Sequence, residues 1–131
     1  MVSKLADDNI HHDRVVNVSA YDDVNELYLI ADVLVTDYSS VFFDYSKTGK
    51  PIFLYMYDLD TYQNKLRGFY FDIEELPGPI VQTEDELIKA INNLSLYNEV
   101  YGEKYKLLQN KYTYLDDGKA SERVVQRLLS L

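Results

Sequence analysis

The stretch from Asp32 to Tyr55 constrains the fold more than any other. Asp32 to Thr36 (DVLVT) is a nearly continuous apolar run, and Asp37-Tyr38-Ser39-Ser40 breaks it at once. Val41 to Thr48 then reads as a short helix stopped by Gly49, and Pro51 to Tyr55 (PIFLY) is apolar again. A brief apolar run bounded by turn residues is the pattern of a parallel strand covered on both faces. Glycine just past a helix supplies the left-handed backbone that ends it. Strand, helix and strand at this spacing make one right-handed crossover, so the sequence predicts an open α/β sheet with a ligand at the carboxyl ends of its strands.

The flanking segments extend this reading. Arg14 to Ser19 (RVVNVS) is β-branched and predicts an additional strand, and Tyr21-Asp22-Asp23 supplies turn and N-cap chemistry. Val24, Leu27, Tyr28 and Ala31 then recur at helical spacing, which puts four apolar side chains on one helix face. Residues 1-56 thus predict a βαβαβ core. Residues 57-80 break the periodicity into a long polar and aromatic connection, expected to be a functional loop such as a lid or an acceptor-side loop. Residues 81-131 predict C-terminal helices. Thr83 with Glu86 forms a capping-box pattern ahead of Leu87, Ala90, Ile91 and Leu94, and two further helices over Tyr97 to Tyr112 and Lys119 to Leu131 flank Asp116-Asp117-Gly118. About three strands are expected, fewer than a complete doubly wound domain has, so the chain is expected to begin partway through a Rossmann-like domain.

Composition excludes several function classes. A net charge of -9 argues against nucleic acid, whose binding rests on clustered Lys and Arg. With no cysteine there is neither a disulfide framework nor a thiolate zinc site, which fits a reducing compartment. The longest apolar runs fall far below the roughly 20 residues of a membrane helix, so any membrane contact is expected through other regions. The 13 tyrosines are the oddity, and their helical spacing near the C-terminus points to half-buried packing rather than a ligand site.

Chemistry concentrates between Val33 and Pro51. A strand that ends in small hydroxyl residues and passes into a helix gathers backbone N–H groups and the positive end of the helix dipole at one point, which suits a diphosphate. Ser39 and Ser40 are small enough to let phosphate approach, and Asp44 follows Ser40 by four residues, on the same helix face. A carboxylate there can accept from both hydroxyls of a ribose. From spacing alone a second reading stands, in which the serines cap the helix and Asp44 is a solvated side chain. Asp58 and Asp60 read as loop solvation. No metal is expected, because the acidic residues do not form a ligand cluster, and no cofactor is implied.

The run Thr36-Asp37-Tyr38-Ser39-Ser40 resembles the phosphate turn in the C-terminal donor domain of two-domain nucleotide-sugar enzymes. In those enzymes an acidic residue seven positions after the aspartate binds ribose, a separation that Asp37 and Asp44 share, and Gly49-Lys50-Pro51 matches a further motif of the same group. The likeness is closer to one family. Val18-Ser19-Ala20-Tyr21-Asp22-Asp23, Leu34 to Val41, Phe43-Asp44-Tyr45, Lys65-Leu66-Arg67-Gly68-Phe69-Tyr70 and Leu76-Pro77-Gly78-Pro79 resemble successive signatures of the CDP-glycerol glycerophosphotransferases of teichoic acid biosynthesis. The likeness runs from Asn17 to Pro79, and less distinctly to Asp117-Gly118-Lys119-Ala120-Ser121.

The resemblance implies a partial C-terminal domain of a GT-B-type transferase, carrying the donor site but not the whole active site. It implies an enzyme at the inner face of the bacterial cell membrane that moves glycerol phosphate from CDP-glycerol to a lipid-linked acceptor and releases CMP. By the same resemblance Ser39 and Ser40 hold the donor diphosphate, Thr36 and Asp37 shape the turn, and Asp44 contacts ribose. Arg67 has two readings, a bidentate phosphate contact or a surface salt bridge. The family's histidines are not matched by His11-His12, so no catalytic residue is assigned and the chain alone is expected to be inactive. Two alternatives remain at this level: the donor domain of a nucleotide-sugar glycosyltransferase or epimerase, and a non-catalytic Rossmann-like interaction domain.

Overall fold

The computed structural model describes residues 14–59 and 72–131. Its centre is a three-stranded parallel sheet in the order β1-β2-β3, with β1 at Leu34–Thr36, β2 at Ile52–Tyr55 and β3 at Ile80–Val81. Register pairs Leu34 with Ile52 and Thr36 with Leu54 on one side of β2, and Leu54 with Ile80 on the other. Helices precede and join the strands: α1 at Val24–Ile30, α2 at Val41–Tyr45 running into a 3-10 turn at Ser46–Thr48, and α3 at Glu84–Asn92. The chain closes with α4 at Tyr97–Tyr112 and α5 at Ala120–Leu129. This is the expected α/β architecture with a helical C-terminal segment.

Local chemistry explains most of the boundaries. Asp23 caps α1 by accepting from the backbone N–H of Asn25 at 2.8 Å. Gly49 ends the helical stretch at φ 72, the left-handed region that glycine enters without strain. The capping box of α3 is complete, with the Thr83 hydroxyl accepting from the Glu86 N–H and the Glu86 carboxylate accepting from the Thr83 N–H. Its two backbone donors, at Gln82 and Thr83, hold the Glu86 carboxyl below its usual range.

The core is aromatic and forms where β2 meets α2 and α4. Phe42, Tyr45, Ile52, Phe53, Leu54, Met56 and Leu76 are all buried. The tyrosine stripe of α4 is core, as its spacing predicts, since Tyr97, Tyr105 and Leu108 are buried and Tyr101 packs against them. Each buried hydroxyl has a partner. Tyr97 Oη donates to the Pro77 carbonyl at 2.7 Å and accepts from the Ile52 N–H at 3.0 Å, and burial pushes this phenol up to about 12. Tyr105 Oη donates to the Lys50 carbonyl at 2.9 Å. The Leu76-Pro77-Gly78-Pro79 signature is therefore a packing element, held under β2 by a tyrosine of α4.

Two expectations are corrected. Arg14 to Ser19 forms no strand: it is exposed, with Val16 at 80%, and pairs with no other strand among the described residues. β-branched composition favours extended backbone, but a strand also requires a neighbour to satisfy its N–H and C=O groups. The third strand is instead Ile80–Val81, too short to register as an apolar run. β1 is also not covered on both faces. Among the described residues nothing fully covers the face that Val35 occupies, and it is 43% exposed, while Ile52, Phe53 and Leu54 of β2 are buried on both faces.

Candidate functional site

The carboxyl end of β1 carries the predicted turn. Thr36 is the last strand residue and is half-buried against β2. Asp37 follows, and its carboxylate accepts from the Ser39 N–H at 3.0 Å, an Asx turn that folds the chain back toward α2. Ser39 Oγ lies 3.5 Å from the Val41 N–H, a long contact at best. Ser40 is the N-cap residue with helical backbone, φ -67 and ψ -4, and its exposed side chain makes no capping bond. Neither serine hydroxyl is thus tightly engaged in capping.

Asp44 is exposed on α2 and opens into a shallow cleft of about 350 Å³ between α1 and α2. Asn25, Tyr28 and Leu29 form the α1 wall of this cleft, and Lys47, Thr48 and Lys50 form the other. Tyr28 packs edge-on against Tyr45 at 5.7 Å, and burial followed by the charge of Asp44 raises its phenol above the ordinary value. The turn and the cleft meet at α2, which carries Ser40 at its start and Asp44 one turn later. Residues 36 to 40 do not themselves line the cleft.

Both lysines of the cleft are committed to helix ends. Lys50 Nζ donates to the carbonyls of Leu29 at 2.8 Å and Ala31 at 2.7 Å, at the C-terminus of α1. Lys47 Nζ donates to the Thr113 carbonyl at 3.1 Å, at the C-terminus of α4. Cations there satisfy orphan carbonyls and the negative end of the dipole. The Lys50 of the Gly-Lys-Pro motif thus has a structural role that spacing could not show.

One feature of the site was missed by sequence reasoning. Tyr38 Oη donates to the Asp58 carboxylate at 2.7 Å, joining the loop after β1 to the loop after β2. Asp58 is accordingly more than loop solvation. The partners lie 20 residues apart, and nothing in either local pattern pairs them. Arg67, His11, His12 and Asp60 lie outside the described residues. Among the described residues no group of three or more His, Cys, Asp or Glu is placed to hold a metal ion, and no helix is long and apolar enough to cross a membrane.

A three-stranded parallel sheet packed with helices, and followed by a helical C-terminal segment, defines a Rossmann-like α/β domain. Its family is more particular: residues 1–130 match the model of the CDP-Glycerol:Poly(glycerophosphate) glycerophosphotransferases, and the chain belongs to that family. It is 46% identical over 119 residues to the teichoic acid glycerol-phosphate transferase of Staphylococcus aureus, which covers 90% of this chain and 31% of that protein. It is also 46% identical over 108 residues to the teichoic acid poly(glycerol phosphate) polymerase of Bacillus subtilis, covering 82% of this chain and 14% of the relative. Among solved structures, the wall teichoic acid polymerase TagF superposes with a TM-score of 0.77 at 42% identity, over 88% of this chain and 28% of that one. A TagF variant soaked with CDPG superposes equally well, at a TM-score of 0.77. The chain therefore spans a third or less of the length of these relatives.

Proposed function

We propose that this chain is the donor-binding part of a transferase that moves glycerol phosphate from CDP-glycerol to a lipid-linked teichoic acid acceptor, releasing CMP. The observation that carries the reading is the turn at Thr36 to Ser40, which ends an edge strand in two small hydroxyl residues not tightly engaged in capping, in a chain of this family. Thr36 and Asp37 shape the turn, Ser39 and Ser40 donate to the diphosphate, and Asp44 accepts from the ribose hydroxyls. Arg67 joins the phosphate contacts on its sequence motif alone. The acceptor, and the inner face of the membrane where it resides, are reached through other regions of the transferase.

Calorimetric titration of the chain with CDP-glycerol, CDP, UDP and a UDP-sugar tests this. The cytidine ligands are expected to bind and the uridine ligands to bind more weakly; preference for a UDP-sugar would point to a nucleotide-sugar enzyme, and no binding at all to an interaction domain. Ser39→Ala with Ser40→Ala removes two hydrogen bonds to a charged group and is expected to cost about 3 kcal/mol or more in CDP affinity. Asp44→Ala is expected to weaken CDP while sparing pyrophosphate. An unchanged CDP affinity in a folded double serine variant refutes the site.

A further inference from the structure

We propose that Tyr38 and Asp58 are a positioning pair, which fixes the Asp37–Ser40 turn in the conformation that receives the donor diphosphate. The inference rests on the donor-site reading above and adds to it two residues that neither the family signatures nor the spacing singles out as functional.

The two loops that follow neighbouring strands of a parallel sheet share one edge of the molecule, and ligands of such sheets lie across that edge. β1 and β2 are parallel neighbours with Thr36 opposite Leu54, so the two strands end at one edge of the sheet. Their loops are joined by the 2.7 Å bond from Tyr38 Oη to Asp58 Oδ1. Tyr38 is half-buried and packs against the core, and it sits between Asp37, which accepts from the Ser39 N–H, and Ser39, which the donor-site reading assigns to the diphosphate. Its other end is equally fixed. Asp58 lies within a tight turn closed by the Leu59 N–H donating to the Met56 carbonyl at 3.2 Å, and Met56 is itself buried and bonded to β3 through its N–H to the Val81 carbonyl at 2.8 Å. The bond therefore runs from the sheet to the middle of a turn that is closed locally by the Asp37–Ser39 bond alone, in which the Ser39 hydroxyl makes only a long contact and the Ser40 hydroxyl no capping bond.

The chemistry of the pair also suits an anion site. A carboxylate at this edge repels a diphosphate, and a phenol donating to it offsets part of that charge and holds its lone pairs toward the protein. Burial, followed by the bond to Asp58, holds this phenol above its ordinary range. Neither residue contacts substrate atoms in this assignment; both act through the backbone of residues 37 to 40.

The test compares CDP with cytidine, which lacks the diphosphate, on the 131-residue chain. Tyr38→Phe removes the donor and is expected to lower CDP affinity about tenfold, the usual scale for losing one hydrogen bond to a charged group, while leaving cytidine affinity unchanged. Asp58→Ala is expected to do the same, and Asp58→Asn, which keeps an acceptor oxygen for the phenol, to recover most of the loss. Thermal midpoints measured beside each titration separate positioning from folding. Equal losses for CDP and cytidine that track a fall in midpoint would reduce the pair to a fold element and overturn the assignment, as would unchanged CDP affinity in Tyr38→Phe. The two readings fail differently. If Ser39→Ala with Ser40→Ala weakens CDP and Tyr38→Phe does not, the donor site stands and the pair falls; if wild-type chain binds no CDP, both fall together.

Discussion

A β-carbon built on Gly78 would lie 1.9 Å from the carbonyl oxygen of Ile52, a backbone atom of the central strand. No rotamer change relieves such a contact, because the atom struck is fixed by the sheet. Gly78 is thus required by close approach and not by backbone angle, since it is absent from the residues with positive φ. The same carbonyl and the Pro77 carbonyl both meet Tyr97 Oη, so forcing the chain away from β2 also strains that buried hydrogen-bond group. Gly78→Ala is expected to destabilise the chain by about 3 kcal/mol, at the upper end of the usual overpacking cost. Urea unfolding followed by circular dichroism measures it. A loss under about 0.5 kcal/mol, the size of an ordinary surface substitution, would show that the strand yields after all.

At the scale of elements, α1 is the least secured part of the site. It has no buried residue, its Leu29 and Ile30 are largely exposed, and its C-terminal carbonyls are held by Lys50 and by Tyr45 Oη, which donates to the Ala31 carbonyl at 3.1 Å. Lys50→Met keeps the aliphatic stem and removes the cap, and is expected to make local opening of α1 easier by about 1–2 kcal/mol. Amide hydrogen exchange reads this directly: protection of the Ala31 N–H, bonded to Leu27, should fall while that of Leu54 in β2 stays unchanged. Equal protection of Ala31 in wild type and variant would mean that Tyr45 alone secures the helix end. Elements were legible in the sequence where local chemistry decides them. Asp23, Gly49 and the Thr83–Glu86 pair mark their boundaries through bonds made within a few residues, and the α4 stripe shows its buried face by period. Arg14 to Ser19 misleads because pairing is a non-local property, and Ile80–Val81 is hidden because two residues carry no period. The candidate site divides the same way: its hydroxyl turn is visible in one run of sequence, whereas the Tyr38–Asp58 and Lys50–Ala31 bonds cross between elements and leave no local mark.

Across the whole molecule, binding and transfer make different demands. In the proposed reading, binding the donor needs the turn after β1 and the cleft at Asp44, both of which lie within the described residues. Transfer also needs an acceptor hydroxyl held in line with the donor phosphorus. Such orientation is worth roughly 7–11 kcal/mol of barrier, and general acid–base help typically adds about 10²–10⁴-fold. The relatives whose names specify transfer or polymerisation are three to seven times longer than their matched regions, with this chain covering 31% of one and 14% of another. In the proposed reading Ser39 and Ser40 hold the donor at the strand ends, with Tyr38 and Asp58 positioning the turn that carries them. The purified 131-residue chain is therefore expected to bind CDP-glycerol yet transfer nothing. Radiolabelled CDP-glycerol incubated with a lipid-linked acceptor and this chain should give no labelled polymer above a protein-free control, while the same sample still binds CDP by calorimetry. Saturable transfer that survives gel filtration with the chain would show that the reacting groups lie within these residues, and His11 and His12 would then be the first to replace.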